Sequence, residues 1–304
     1  MRPKIGLALG SGAARGWAHI GIIDSLATFG VIPDIVCGTS IGALVGAAFV
    51  TGKLAALKAR IENFGRRDVA AMFDVRLATG GLIEGKRVET FLDGLGIAGS
   101  IEALSIKYGA IATDLASGRE IWLQTGPIGR AVRASIGMPG IFSPAAHVGG
   151  GWLIDGGLVN PVPVSLARAL GADIIIAVDM NSELVGRRFG ELTTSTAAPA
   201  ASSRVPQWLN NALGPLLGRV LQSGPSHPSY FEVLANSLNI MQDRITRSRL
   251  AGDPPDVLLL PSLGDFSWLD FHRAQEAVAE GSACAKAAQE AIKRACREAI
   301  VASA

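Results

Sequence analysis

The chain has little from which to build a disulfide framework or a metal site. Its 304 residues include three cysteines, Cys37, Cys284 and Cys296, an odd number at wide spacings. They form neither a metal-ligand motif nor a set of bridges, which fits a reducing, cytoplasmic setting. No apolar stretch reaches the roughly 18 residues expected of a membrane span. The opening Met1-Arg2-Pro3-Lys4 leads straight into a short strand, not a secretory apolar region, so no signal peptide is expected. Charge is scarce as well: charged residues make up 18% and the net charge is +2. No basic run carries interleaved aromatics, so nothing argues for a nucleic-acid partner. No internal repeat is present. What the chain has in quantity is small and apolar, with 49% hydrophobic residues and 37 glycines. Such a composition can cover both faces of a sheet.

Taken in order, the pattern alternates strand and helix. Residues 5–9 (IGLAL) read as a buried strand, 17–29 as a helix, 35–37 as a second strand and 41–50 as a second helix. This βαβα opening predicts a parallel sheet. Helices are expected over 54–64, 86–95, 128–135 and 164–170. Strands are expected over 108–113, 120–123, 152–154, 174–178 and 257–260. The turn Ala116-Ser117-Gly118 makes 108–123 a hairpin, with Asp114 as a turn former. A long helix is expected over 230–250 and a terminal helix over 270–299. Between about 182 and 228 the composition shifts, first to Ser, Thr, Ala and Pro, which reads as a mobile or lid-like insertion in one α/β domain spanning 1–304.

The chemistry is expected at Gly38-Thr39-Ser40-Ile41-Gly42. A serine at the apex of a strand–turn–helix, with glycine two residues to either side, is the nucleophile-elbow pattern. The turn strains the central residue and leaves no room beside it. The helix N-terminus then offers the Ile41 N–H to a developing oxyanion. The loop Gly10-Ser11-Gly12-Ala13 precedes a helix and reads as a nest of N–H donors for an anion. If the first two strands are neighbours, nest and Ser40 share one end of the sheet, as acyl transfer requires. Arg15 either adds positive charge there or is a solvated arginine at the helix start. A dinucleotide site is disfavoured: the spacing is Gly10-x-Gly12-x-x-x-Gly16, and no acidic residue closes the second strand.

A serine nucleophile needs a base. Of the histidines, His19, His147, His227 and His272, only the last two follow an acid in the order a Ser–Asp–His hydrolase requires, and neither follows a strand. Asp155 does end a strand, and Gly156-Gly157 lets it approach another loop closely. A Ser40–Asp155 dyad is therefore expected, with Asp155 desolvated enough to raise its pKa toward working pH.

Three patterns in this order resemble the patatin-like phospholipases: the loop at residues 10–16, the elbow at 38–42 and Asp155-Gly156-Gly157. The run at 134–144 (ASIGMPGIFSP) also resembles that family. The tail at 266–281 resembles bacterial members related to the neuropathy target esterase group. Ser11 stands where the family more often has the middle glycine of three. The resemblance covers about residues 5 to 180. It implies a three-layer α/β/α fold with a mainly parallel sheet. It also implies a metal-free, cofactor-free serine hydrolase acting on fatty-acyl esters such as (lyso)phospholipids. Ser40 would be the nucleophile and Asp155 the base, with Gly10, Ser11, Gly12, Ala13, Arg15 and Ile41 around the oxyanion. The competing readings are a soluble carboxylesterase or thioesterase, and a low-turnover member that binds acyl lipid.

Within the insertion, Leu209, Leu213, Leu216, Leu217, Val220 and Leu221 recur mostly at spacings of three and four, with Trp208 alongside. Residues 206–222 could cover an acyl groove, touch a membrane peripherally at its inner face, or pack on the domain or on a second copy of the chain.

Overall fold

The structure is a computed structural model that describes residues 2–62, 64–65, 86–182 and 230–302. Its centre is a sheet of eight strands among those residues: β1 (Ile5–Leu9), β2 (Ile35–Thr39), β3 (Lys107–Asp114), β4 (Glu120–Leu123), β5 (Ala145–Ala146), β6 (Trp152–Asp155), β7 (Ile174–Val178) and β8 (Val257–Leu259). The hydrogen-bonded succession is β5-β6-β3-β2-β1-β7-β8, with β4 on β3. Neighbours from β3 through β2, β1 and β7 to β8 are parallel, while β4, β5 and β6 pair antiparallel.

Every residue of β1, β2 and β7 is buried, as expected of continuous apolar runs covered on both faces. Side chains alternate between two cores. On one face, Leu7, Leu9, Val36, Ile174, Ile176 and Val178 pack with α1 (Ala18–Thr28), α2 (Ile41–Val50), α3 (Leu54–Glu62), α4 (Lys86–Gly94) and α5 (Ile128–Ser135). On the other, Ala8, Ile35, Cys37, Ile175 and Ala177 pack with α6 (Val164–Ala169) and Leu250 of α7 (Tyr230–Gly252). The three-layer α/β/α arrangement is thus present, with a mixed, mainly parallel sheet.

Strand β3 sets up the site. Its Ala110 and Ile111 pair with β2 on one side and β4 on the other, while Ala112 and Thr113 pair with β6 and β4. Since β4 occupies one side throughout, β2 and β6 must share the opposite side. There β2 ends at Thr39 opposite Ile111, and β6 takes over with Asp155 opposite Ala112. The ends of β2 and β6 therefore meet.

Two helix expectations change. The helix expected from residue 17 begins earlier, as a 3-10 turn over Ala13–Trp17 that continues into α1. The terminal helix expected over 270–299 is broken into a 3-10 turn (Phe271–Arg273), α8 (Ala274–Ala287) and α9 (Gln289–Ala302). No glycine or proline marks the break at Ala288; it turns Ile292 into the core, where α9 meets β7 and β8. His227 and the segment 206–222, with nearly all of the expected insertion, lie outside the described residues. No described helix is long and apolar enough to cross a membrane.

Candidate active site

Ser40 stands between β2 and α2 with φ 58 and ψ −123. Positive φ is costly for a residue with a side chain. Among the described residues only one other non-glycine residue has it, Ala13 at φ 49 in the glycine loop. The elbow glycines are dictated by space. A Cβ on Gly38 would lie 2.4 Å from backbone atoms of Ala43, and one on Gly42 would lie 2.2 Å from the Leu9 carbonyl oxygen. The strained conformation turns the Ser40 N–H out of the helix, and it donates to Ser135 Oγ at 2.8 Å, at the end of α5.

Asp155 is fixed at four points. Its N–H donates to the Gly137 carbonyl at 2.9 Å, and its carbonyl accepts from Thr113 Oγ1 at 2.8 Å. Its Oδ1 accepts from the Gly157 N–H at 2.7 Å, and its Oδ2 accepts from the Ser40 hydroxyl at 2.7 Å. Both members of the pair are buried. Burial pushes the Asp155 carboxyl up to about 6, although the hydrogen bonds from Ser40 and Gly157 pull the other way. That is the range in which a carboxylate still ionises at neutral pH yet is basic enough to take a serine proton.

The glycine loop supplies fewer donors than expected. The Gly10 N–H extends the β1–β7 ladder to the Val178 carbonyl at 3.0 Å, and the Ser11 N–H donates to the Pro161 carbonyl at 2.8 Å. Both amides are engaged, so Gly10 and Ser11 are corrected from donors to parts of the frame. The amides of Gly12, Ala13 and Ile41 have no acceptor among the described residues. At the start of α2 the Ala43 and Leu44 N–H groups both return to the Ser40 carbonyl, which leaves Ile41 open.

Arg15 is not the solvated arginine that one reading allowed; it is 1% exposed. Its charge acts on the buried carboxyl of Asp179, just after β7, which burial raises and which Arg15 and Arg247 lower. His19 is buried in α1, with Nε2 2.8 Å from the Gly10 carbonyl oxygen. A carbonyl only accepts, so Nε2 carries the proton. Burial pushes the His19 pKa down to about 4, leaving a neutral imidazole that props the glycine loop. His147 precedes β6 in a turn and His272 lies in the 3-10 turn before α8. Among the described residues only Ser40 and Gly157 hydrogen-bond the Asp155 carboxylate.

Four polar side chains were missed in the sequence. In the sequence Ser135 reads only as a helix end, and His19 lies ahead of the acid in chain order. Asn181, just beyond β7, and Gln242 carry no signal in the sequence; for Gln242, nothing local says which face of a 23-residue helix meets the site.

A family model described as patatin-like phospholipase matches residues 7–168. An uncharacterized NTE family protein of Mycobacterium tuberculosis is 32% identical over 337 aligned residues, covering 96% of this chain and 92% of that protein. Another from the same organism is 30% identical over 291 residues, covering 95% of this chain and 47% of its own length. Patatin-like phospholipase domain-containing protein 7 of Rattus norvegicus is 33% identical over 184 residues, 59% of this chain and 14% of that protein.

Proposed function

Since the chain belongs to the patatin-like phospholipase family, we propose that it is a serine lipid acyl hydrolase whose Ser40–Asp155 dyad cleaves fatty-acyl esters of (lyso)phospholipids or related lipids. The observation that carries this reading is the 2.7 Å hydrogen bond from the Ser40 hydroxyl to a buried Asp155 carboxylate. Ser40 Oγ attacks the ester carbonyl as its proton passes to Asp155 Oδ2. The carbonyl oxygen becomes an oxyanion, for which the amides of Gly12, Ala13 and Ile41 are the open donors. As the tetrahedral intermediate collapses, the ester C–O bond breaks. Asp155 returns the proton to the leaving alcohol. Water then attacks the acyl-Ser40 ester, giving its proton to Asp155, and the acid leaves as Ser40 recovers its hydrogen.

The reading places the protein in the cytoplasm, in peripheral contact with the inner face of a membrane through residues 206–222, and leaves room for a homo-oligomer. Reaction with a fluorophosphonate followed by peptide mapping tests the chemistry: labelling of Ser40 alone is expected, and no labelling of folded protein would refute it. Co-sedimentation with neutral phosphatidylcholine liposomes, beside a variant with Trp208, Leu213 and Leu217 changed to serine, tests the membrane contact. Equal binding of the two proteins would remove it.

A further inference from the structure

The serine in the glycine loop has a side chain that the expected chemistry does not use. Ser11 is 3% exposed, and its hydroxyl donates to Gln242 Oε1 at 3.2 Å, across 231 residues of sequence. Asn181, just beyond β7 and 1% exposed, donates its Nδ2–H to the same Oε1 at 3.1 Å. With Oε1 held by two donors, the orientation of the Gln242 carboxamide is fixed. Its Nε2 then lies against the base turn, 2.5 Å from where a Cβ on Gly157 would be; that same point is 2.9 Å from Asp155 Oδ1. One buried side chain of α7 thus touches the glycine loop, the end of β7 and the turn that carries the base.

The spacing between these parts matters to the reaction. The dyad fixes where the tetrahedral carbon sits, and the loop fixes where its oxyanion donors sit. Gly12 and Ala13 follow Ser11 directly, so a shift of Ser11 moves both amides. The loop is also strained at Ala13, with φ 49, and strained backbone persists only where its surroundings hold it. A glycine at position 11 would leave Gln242 Oε1 with the Asn181 donor alone.

We propose that Ser11 and Gln242 form a positioning pair that sets the glycine loop against the Ser40–Asp155 dyad, an inference that rests on the hydrolase reading above. Gln242 touches no reacting atom. It acts through Ser11 on the placement of the Gly12 and Ala13 amides.

The test is a double-mutant cycle of Ser11→Ala and Gln242→Leu in the full chain. The readouts are hydrolysis of a soluble short-chain p-nitrophenyl ester and affinity for a long-chain trifluoromethyl ketone, which forms a tetrahedral oxyanion on the nucleophile. Thermal melting checks that each variant is folded, and Ser11→Ala, which removes a single oxygen atom, keeps the test alive if Gln242→Leu does not fold. Each single change is expected to lower kcat about tenfold, the upper end for one neutral hydrogen bond, with KM within about twofold. Ketone affinity should fall by the same factor, and the double variant should lose no more than the worse single. Multiplying losses, a change confined to KM, or ketone affinity held while kcat falls would each overturn the pair. Wild-type protein that fails to react with fluorophosphonate would instead sink the hydrolase reading, and the pair with it; normal wild-type labelling beside any of those three outcomes sinks the pair alone.

Discussion

The Ser40 hydroxyl reaches Asp155 Oδ2 at 2.7 Å because the two residues meet end to end along one side of β3. Strand β2 leaves β3 at Thr39 and the chain turns sharply into α2. Strand β6, running the other way, arrives at the next position with Asp155. Ser40 and Asp155 are 115 residues apart in sequence yet held by adjacent positions of a single strand.

The two groups should fail as a unit. Ser40→Ala and Asp155→Asn are each expected to lower kcat by at least about a thousandfold, and the double variant by no more than either alone. His272→Ala should leave kcat within about twofold. Steady-state kinetics on a p-nitrophenyl ester decide this, and a histidine variant losing a thousandfold would replace the dyad with a triad.

Activity should fall on the acid side with an apparent pKa of about 6. Asp155 must be ionised to take the serine proton, and burial holds its carboxyl near that value. His19, with a pKa near 4, is already neutral there and adds no limb. A pH profile of kcat/KM measures this; a profile flat down to pH 4.5 would remove Asp155 as the base.

The same shift has a stability consequence of opposite benefit. The folded carboxyl titrates at about 6 and an ordinary aspartate at 3.8, so between those values the native state keeps a proton the unfolded chain has released. Stability therefore falls as pH rises through that window, and the full cost is present above it. Asp155→Asn carries no charge and escapes the cost. It should be more stable than wild type at pH 8, by on the order of 2–3 kcal/mol at most, and so melt higher, with the gap closing below about pH 4. Equal melting temperatures at both pH values would show that burying the Asp155 charge does not destabilise the fold.

Ser135→Ala should destabilise the elbow. It removes the acceptor of the Ser40 N–H and leaves that buried donor unmatched, which costs about 1–3 kcal/mol. The expected result is a lower melting temperature together with a lower kcat. Unchanged melting and unchanged kcat would mean the N–H finds another partner.

The sequence by itself determined the strands and the strand–turn–helix around Ser40, because each is encoded locally; that Asp155 meets Ser40 was decided by the pairing of β2 and β6 with β3. An all-apolar run such as Ile174–Val178 is buried on both faces wherever it lies. Glycines at 38 and 42 answer respectively to Ala43 of the following helix and to the Leu9 carbonyl of the neighbouring strand, both brought close by the turn. The break at Ala288 was not legible, since no glycine or proline marks it; beyond it Ile292 is buried and the last helix contacts β7 and β8. Tertiary structure alone decided which loop amides remain open, because that depends on the Val178 and Pro161 carbonyls arriving from far along the chain. It also decided that Arg15 is buried and that Ser135 and Gln242 accept hydrogen bonds from Ser40 and Ser11. Hydrogen bonds across 95 and 231 residues leave no mark in local periodicity. A polar residue on a helix looks the same in sequence whether it faces water or a catalytic loop, and only packing distinguishes the two.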